Sequence, residues 1–164
     1  MKRTPKNITR KFIVLAIGIS LIISLTACGS AIFRTVSFGM TRDEVQEAEQ
    51  DFGEPQTVFD DESLLYEGIS YAGIGGDLVY SFDEDGLLDQ ILFYAYYENY
   101  TDDAYIAVMT ELAKAYAGSS FDAENPTVTD DAVWTDEERN VTVAVAYEQG
   151  IYLTVTLQSA DEDE

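Results

Sequence analysis

Two runs near the C-terminal end of this chain alternate between large apolar side chains and small or polar ones. Val141, Val143, Val145 and Tyr147 are interleaved with Thr142, Ala144 and Ala146. After Glu148-Gln149-Gly150, Ile151, Leu153, Val155 and Leu157 are interleaved with Tyr152, Thr154 and Thr156. Successive side chains of a strand point to opposite faces, so each run has one apolar face and one wetter face. Two such runs joined by a short turn are a hairpin of an antiparallel sheet, covered on one side and open on the other.

The rest of the chain fits the same plan. Thr41 with Glu44 three residues on makes a capping box, and Met40 with Val45 makes a hydrophobic staple. Val45, Ala48 and Phe52 fall on one face, and Gly53 and Pro55 end the helix, so a helix is expected over Thr41–Phe52. Strand-like runs follow at Leu64–Tyr71, Asp77–Phe82 and Leu87–Tyr97. Gly73-Ile74-Gly75-Gly76 connects the first two, and an Asp-Gly hairpin turn over Asp83–Gly86 joins the last two. Thr101-Asp102-Asp103 then caps a second helix, whose stripe is Tyr105, Val108, Met109, Leu112 and Tyr116, with Gly118 ending it. A polar loop leads to a short strand at Ala132-Val133-Trp134.

The order helix–strand–strand–strand thus occurs twice, with Thr41 matching Thr101 and Tyr66 matching Trp134. The expected fold is α+β: a tandem αβββ repeat forming one antiparallel sheet, with two helices packed on one face. The domain should span 38–158, in half-repeats of about 38–98 and 99–158. Each half alone would have a marginal core. An acidic tail, 159–164, follows.

The N-terminal end differs from all of this. Lys2, Arg3, Lys6, Arg10 and Lys11 precede an uncharged run of 16 residues, Phe12–Ala27. A spanning helix needs about 20 apolar residues and a signal-peptide core about 7–15, so the run suits a signal peptide over 1–27. Leu25-Thr26-Ala27-Cys28 resembles the lipobox of bacterial lipoproteins. That resemblance implies a diacylglyceryl group on the thiol of Cys28 and cleavage between Ala27 and Cys28. Two acyl chains suffice for stable anchoring. The competing reading is an uncleaved N-terminal anchor with a buried, inert Cys28. Residues 28–37 are expected to be a tether, and the location a cell membrane, on its extracytoplasmic face (the outer membrane in a diderm).

After Ala27, four bases (Arg34, Arg42, Lys114 and Arg139) face all 31 acids, a side-chain charge of −27. Such a surface repels phosphate backbones, so no nucleic acid is expected as partner. Trp134, all eleven Tyr and most Phe also lie after Ala27, which supports a folded core rather than disorder. The chain has no histidine and one cysteine. Histidine-dependent hydrolysis, zinc sites built on His or several Cys, and disulfide scaffolds are therefore excluded.

Phe38-Gly39-Met40-Thr41-x-x-Glu44-Val45 with Phe52-Gly53-Glu54-Pro55 resembles the opening of SmpA/OmlA-type small lipoproteins. That resemblance implies an envelope protein that binds and supports other proteins. The tandem helix-plus-sheet order over residues 38–157 is similar to beta-lactamase-inhibitor-protein-like repeats. This second resemblance implies a sheet face that grips a protein partner.

No catalytic residue, metal ligand or cofactor is expected. Ser81–Gly86 lacks the acidic first position and terminal Glu of a calcium loop. Lys114 in a last turn complements the helix dipole, which accounts for it better than a Ser–Lys pair with Ser119 or Ser120. The aromatic run Phe93–Tyr97 carries more information. If Ile91 and Phe93 face the helices, Tyr94 and Tyr96 lie on the open face, joined by Tyr152, Thr154 and Thr156. These five are the candidate partner-binding residues, although Tyr and Thr also suit any half-wet strand. A non-enzymatic, lipid-anchored protein that binds a protein or other envelope component is the expectation. The alternative is a small-molecule or divalent-cation binding module using a pocket between helices and sheet.

Overall fold

A computed structural model describes residues 33–58 and 62–160. The expected signal segment 1–27, Cys28, residues 59–61 and the terminal acids 161–164 lie outside the described residues. Among the described residues, no helix is long and apolar enough to cross a membrane.

The architecture is α+β. Helix α1 (Arg42–Ala48) runs into a 3-10 turn, Gln50–Phe52. Strands β1 (Gln56–Val58), β2 (Ser63–Tyr71), β3 (Ile74–Phe82) and β4 (Leu88–Ala95) follow. Helix α2 (Asp102–Ala115) leads to β5 (Asp131–Asp136), β6 (Val141–Glu148) and β7 (Tyr152–Ser159). All seven strands form one antiparallel sheet in the order β1-β2-β3-β4-β7-β6-β5. Six of them are long, and β1 is a three-residue strand at one edge.

Register explains the core. One row crosses the sheet as Leu64, Tyr80, Ile91, Leu157, Val143 and Trp134. The next is Tyr66, Leu78, Phe93, Val155, Val145 and Ala132. Val45 of α1 and Ala104, Tyr105, Val108, Met109 and Leu112 of α2 belong to the same buried cluster. At about 25 cal/mol per Å² of apolar surface, this shared cluster is the main stabilising term, and neither helix could supply it alone. Tyr147 on β6 donates to Asp102 Oδ1 of α2 at 2.6 Å, fixing the first turn of that helix over the sheet.

Three expectations need correction. Phe33 and Val36, placed in the tether, are 4% and 0% exposed, and Thr35 Oγ1 donates to the Ala48 carbonyl at 3.0 Å. The chain is therefore docked into the core from Phe33, because Phe33 and Val36, bridged to each other across a tight turn, both join the buried cluster. Strand β3 starts at Ile74, inside the glycine run taken as a connection. The turn is made by Ala72 and Gly73, both at positive φ. Gly76 is in the strand because Phe93 packs on it: an added Cβ would lie 2.6 Å from that ring and 2.4 Å from the Tyr94 carbonyl oxygen. Finally, β4 stops at Ala95 rather than running on to Tyr97, which enters a 3-10 turn and is 80% exposed.

Candidate functional site: the open sheet face

The opposite face of the sheet carries no helix in its cross-strand rows, which combine apolar and polar side chains. Leu65, Val79, Leu92, Thr156, Ala144 and Val133 cross six strands as one strip. Beside it run Asp77, Tyr94, Thr154, Ala146 and Asp131. On the other side run Ser63, Ser81, Gln90, Gln158, Thr142 and Thr135. An apolar strip thus lies between two polar rows held rigid by the ladders; Val79 and Ser63 are buried, and Tyr94, Thr154 and Thr156 are half-buried.

Tyr94, Thr154 and Thr156 are half-buried residues of this face, with Tyr94 directly opposite Thr154 and Leu92 opposite Thr156. Tyr152 stands opposite Glu148 at the end of the β6–β7 hairpin. Tyr96 follows the end of β4 and is tied rather than free. Its hydroxyl donates to Asp77 Oδ1 at 2.7 Å and accepts from the Gly68 N–H at 3.0 Å. The same Gly68 N–H also reaches Asp77 Oδ1 at 2.9 Å.

Gly68 lies in the irregular stretch of β2 between Tyr66 and Ile69, at φ +71°, where an L side chain would be strained. The bulge turns its N–H out of the ladder, and Asp77 with Tyr96 satisfies it. Sequence reading missed Asp77, whose parity was legible but whose partners depend on the β2–β3–β4 register. It also missed the Leu65–Val79–Leu92 strip, which needs three strands to become visible.

Acids surround the tyrosines. Burial and then the Asp77 charge raise the Tyr94 phenol, with Glu67 adding to the effect. Burial raises Tyr152 as well, followed by Asp131, Glu148 and Asp130. The hydrogen bond given to Asp77 raises Tyr96. All three phenols stay neutral in this negative field, and the Tyr96 proton is already given to Asp77.

The other motifs are accounted for locally. Asp83 Oδ1 accepts from the N–H groups of Asp85 and Leu87, so it serves its own hairpin turn. Lys114 Nζ donates to Glu111 Oε1 at 2.7 Å on the exposed side of α2. No group of three or more metal-ligating side chains exists among the described residues.

No protein-family model and no curated protein matches this chain. Among solved structures, the chain is similar to a DUF4309 family protein (YjgB) from Bacillus subtilis subsp. subtilis str. 168. The identity is 16%, the TM-score 0.42, and the match covers 76% of this chain and 82% of that one.

Proposed function

We propose that this chain is a lipid-anchored, extracytoplasmic, non-enzymatic lipoprotein that binds a cationic protein surface through the open face of its sheet. The observation that carries the reading is the paired arrangement of Tyr94, Thr154 and Tyr152 with Asp77, Asp131 and Glu148 beside the Leu65–Val79–Leu92 strip. Tyrosines on a rigid sheet give contact area at small entropy cost. The charge of −27 after Ala27 steers positive partners and repels negative ones.

The lipobox-like Leu25–Cys28 supports the anchor. Phe33, five residues after Cys28, is already buried in the core. Five residues reach at most about 18 Å, so lipid on Cys28 would hold the α1 end of the domain close to the bilayer. The two halves read as repeats of one αβββ unit, the first carrying the short edge strand β1 in addition. Supporting this, the last strand of each half, β4 and β7, meets the other at the centre of the sheet.

The test is capture of membrane proteins by the full chain in detergent, comparing wild type with Tyr94→Ser/Tyr152→Ser. The double variant should keep its melting temperature within a few degrees and lose about 2 kcal/mol or more of binding. The captured partner should be basic, and its association should slow as salt rises. Undiminished capture by the double variant would remove the open face from consideration.

A further inference from the structure

At the far edge of the sheet, β5 pairs only with β6 among the described residues. Backbone parity sorts its peptide groups. The Thr135 carbonyl oxygen lies 2.7 Å from where a Gly118 side chain would begin, and the Asp131 carbonyl accepts from Thr129 Oγ1 at 3.3 Å. Asp131, Val133 and Thr135 therefore turn their N–H and C=O groups away from β6; Gly118 packs on the Thr135 carbonyl and Thr129 on the Asp131 carbonyl, so Val133 carries the outward peptide group between them.

Beside this edge lies a cavity of about 390 Å³ between α2, the 119–129 loop and β5, within the about 300–1,000 Å³ of small-molecule and side-chain sites. Tyr105, Met109, Phe121 and Trp134 supply apolar walls. No Lys or Arg lines it, whereas Asp122 and Asp131 do. Asp122, Glu124, Asp130 and Asp131 are all exposed around it.

We propose that this edge and cavity take up an extended, cationic peptide segment as an additional strand against β5. The outward peptide group of Val133, a cavity-lining residue, pairs with the peptide backbone, and one bulky apolar side chain of the peptide enters the cavity against its apolar walls. Basic neighbours in the peptide face the surrounding carboxylates. An unpaired strand edge offers donors and acceptors at the repeat of another strand, and an adjacent apolar pocket supplies side-chain selection. The absence of cations from the lining rejects phosphate and carboxylate ligands. The acidic rim disfavours a second copy of this chain by like-charge repulsion. The site shares Asp131 and Val133 with the margin of the open face but uses none of its tyrosines, and it does not rest on the reading given above.

Trp134 is the only tryptophan of the chain, so the cavity carries its own reporter. The probe is a blocked seven-residue peptide alternating Lys and Thr around a central Phe, titrated into the full chain in detergent. Saturable change in Trp134 emission is expected. A peptide of the same sequence, N-methylated at alternate peptide bonds, should bind about tenfold or more weakly, the loss expected for one or two hydrogen bonds.

Val133→Pro removes only an outward N–H, which an edge strand tolerates, and should weaken the unmodified peptide similarly. Phe121→Ala should weaken it while leaving its preference over the N-methylated form. Tyr94→Ser/Tyr152→Ser should not affect it. Equal binding of the two peptides, or no binding, overturns the proposal whether or not Val133→Pro folds. So does full affinity in a folded Val133→Pro, or a Trp134 response to cellobiose and not to the peptide.

Discussion

Glu49 is fully buried, and its carboxylate lies 3.2 Å from Arg34 Nη1. The pair touches without aligning as a hydrogen bond. Both Arg34 Nη atoms, Glu49 Oε2 and the Tyr66 hydroxyl are buried without a hydrogen bond. Burial therefore raises the Glu49 carboxyl, and the Arg34 charge with the neighbouring Tyr80 and Thr35 hydroxyls offsets only part of this. Burial likewise pushes the Tyr66 phenol up to about 12. A carboxyl raised on folding binds its proton more tightly in the native state, so its contribution is complete below the unfolded value, 4.5. That contribution is lost as pH rises through the folded value. Urea titrations across pH should therefore show wild type losing stability relative to Glu49→Gln from about pH 4.5 upward. Asp136 behaves in the opposite sense. Although burial acts against it, hydrogen bonds from the Ala117 and Arg139 N–H groups and the Arg139 guanidinium lower its carboxyl. Its stabilisation is present above 3.8 and lost as pH falls through its folded value. Neither environment is visible in the sequence, where Glu49 and Asp136 are two acids among 31.

The two helices begin with the same residue type but use it differently. Thr101 Oγ1 accepts from the Ala104 N–H at 3.2 Å, an N-cap bond that also serves a 14-residue helix. Thr41 Oγ1 instead donates to Glu44 Oε2 at 2.9 Å, and that same oxygen accepts the Thr41 N–H at 2.8 Å. In α1 the carboxylate of Glu44 is thus the acceptor that matters, and these hydrogen bonds lower its carboxyl. Thr101→Ala should cost about 0.5–2 kcal/mol in urea titration, and Thr41→Ala measurably less. Equal losses would mean that the two caps act alike. Both starts were legible because capping is a contact between neighbours three residues apart. The β3 start was not, since what admits Gly76 to the strand is the Phe93 ring across the β3–β4 ladder.

Across the whole molecule, the lipid reading makes the sharpest demand, since Cys28 is the chain's single thiol. Cys28→Ala should accumulate as an unlipidated, uncleaved precursor, while wild type should carry its acyl mass on an N-terminal Cys28 by mass spectrometry. Intact Met1 in the wild type would overturn the anchor. The strand alternation at Val141–Tyr147 and Ile151–Leu157, the helix starts and the acid excess follow from local pattern and composition. The sheet order did not follow. Pairing β4 with β7 joins residues some sixty positions apart, and only that pairing brings Tyr94 opposite Thr154. The same holds for the docking of Phe33 and Val36, the tie from Tyr96 through Asp77 to Gly68, and the cavity beside β5. Period-two patterning states which face of a strand is apolar. Which strands become neighbours, and which edge is left unpaired, is decided by how both helices bury their stripes on one shared sheet.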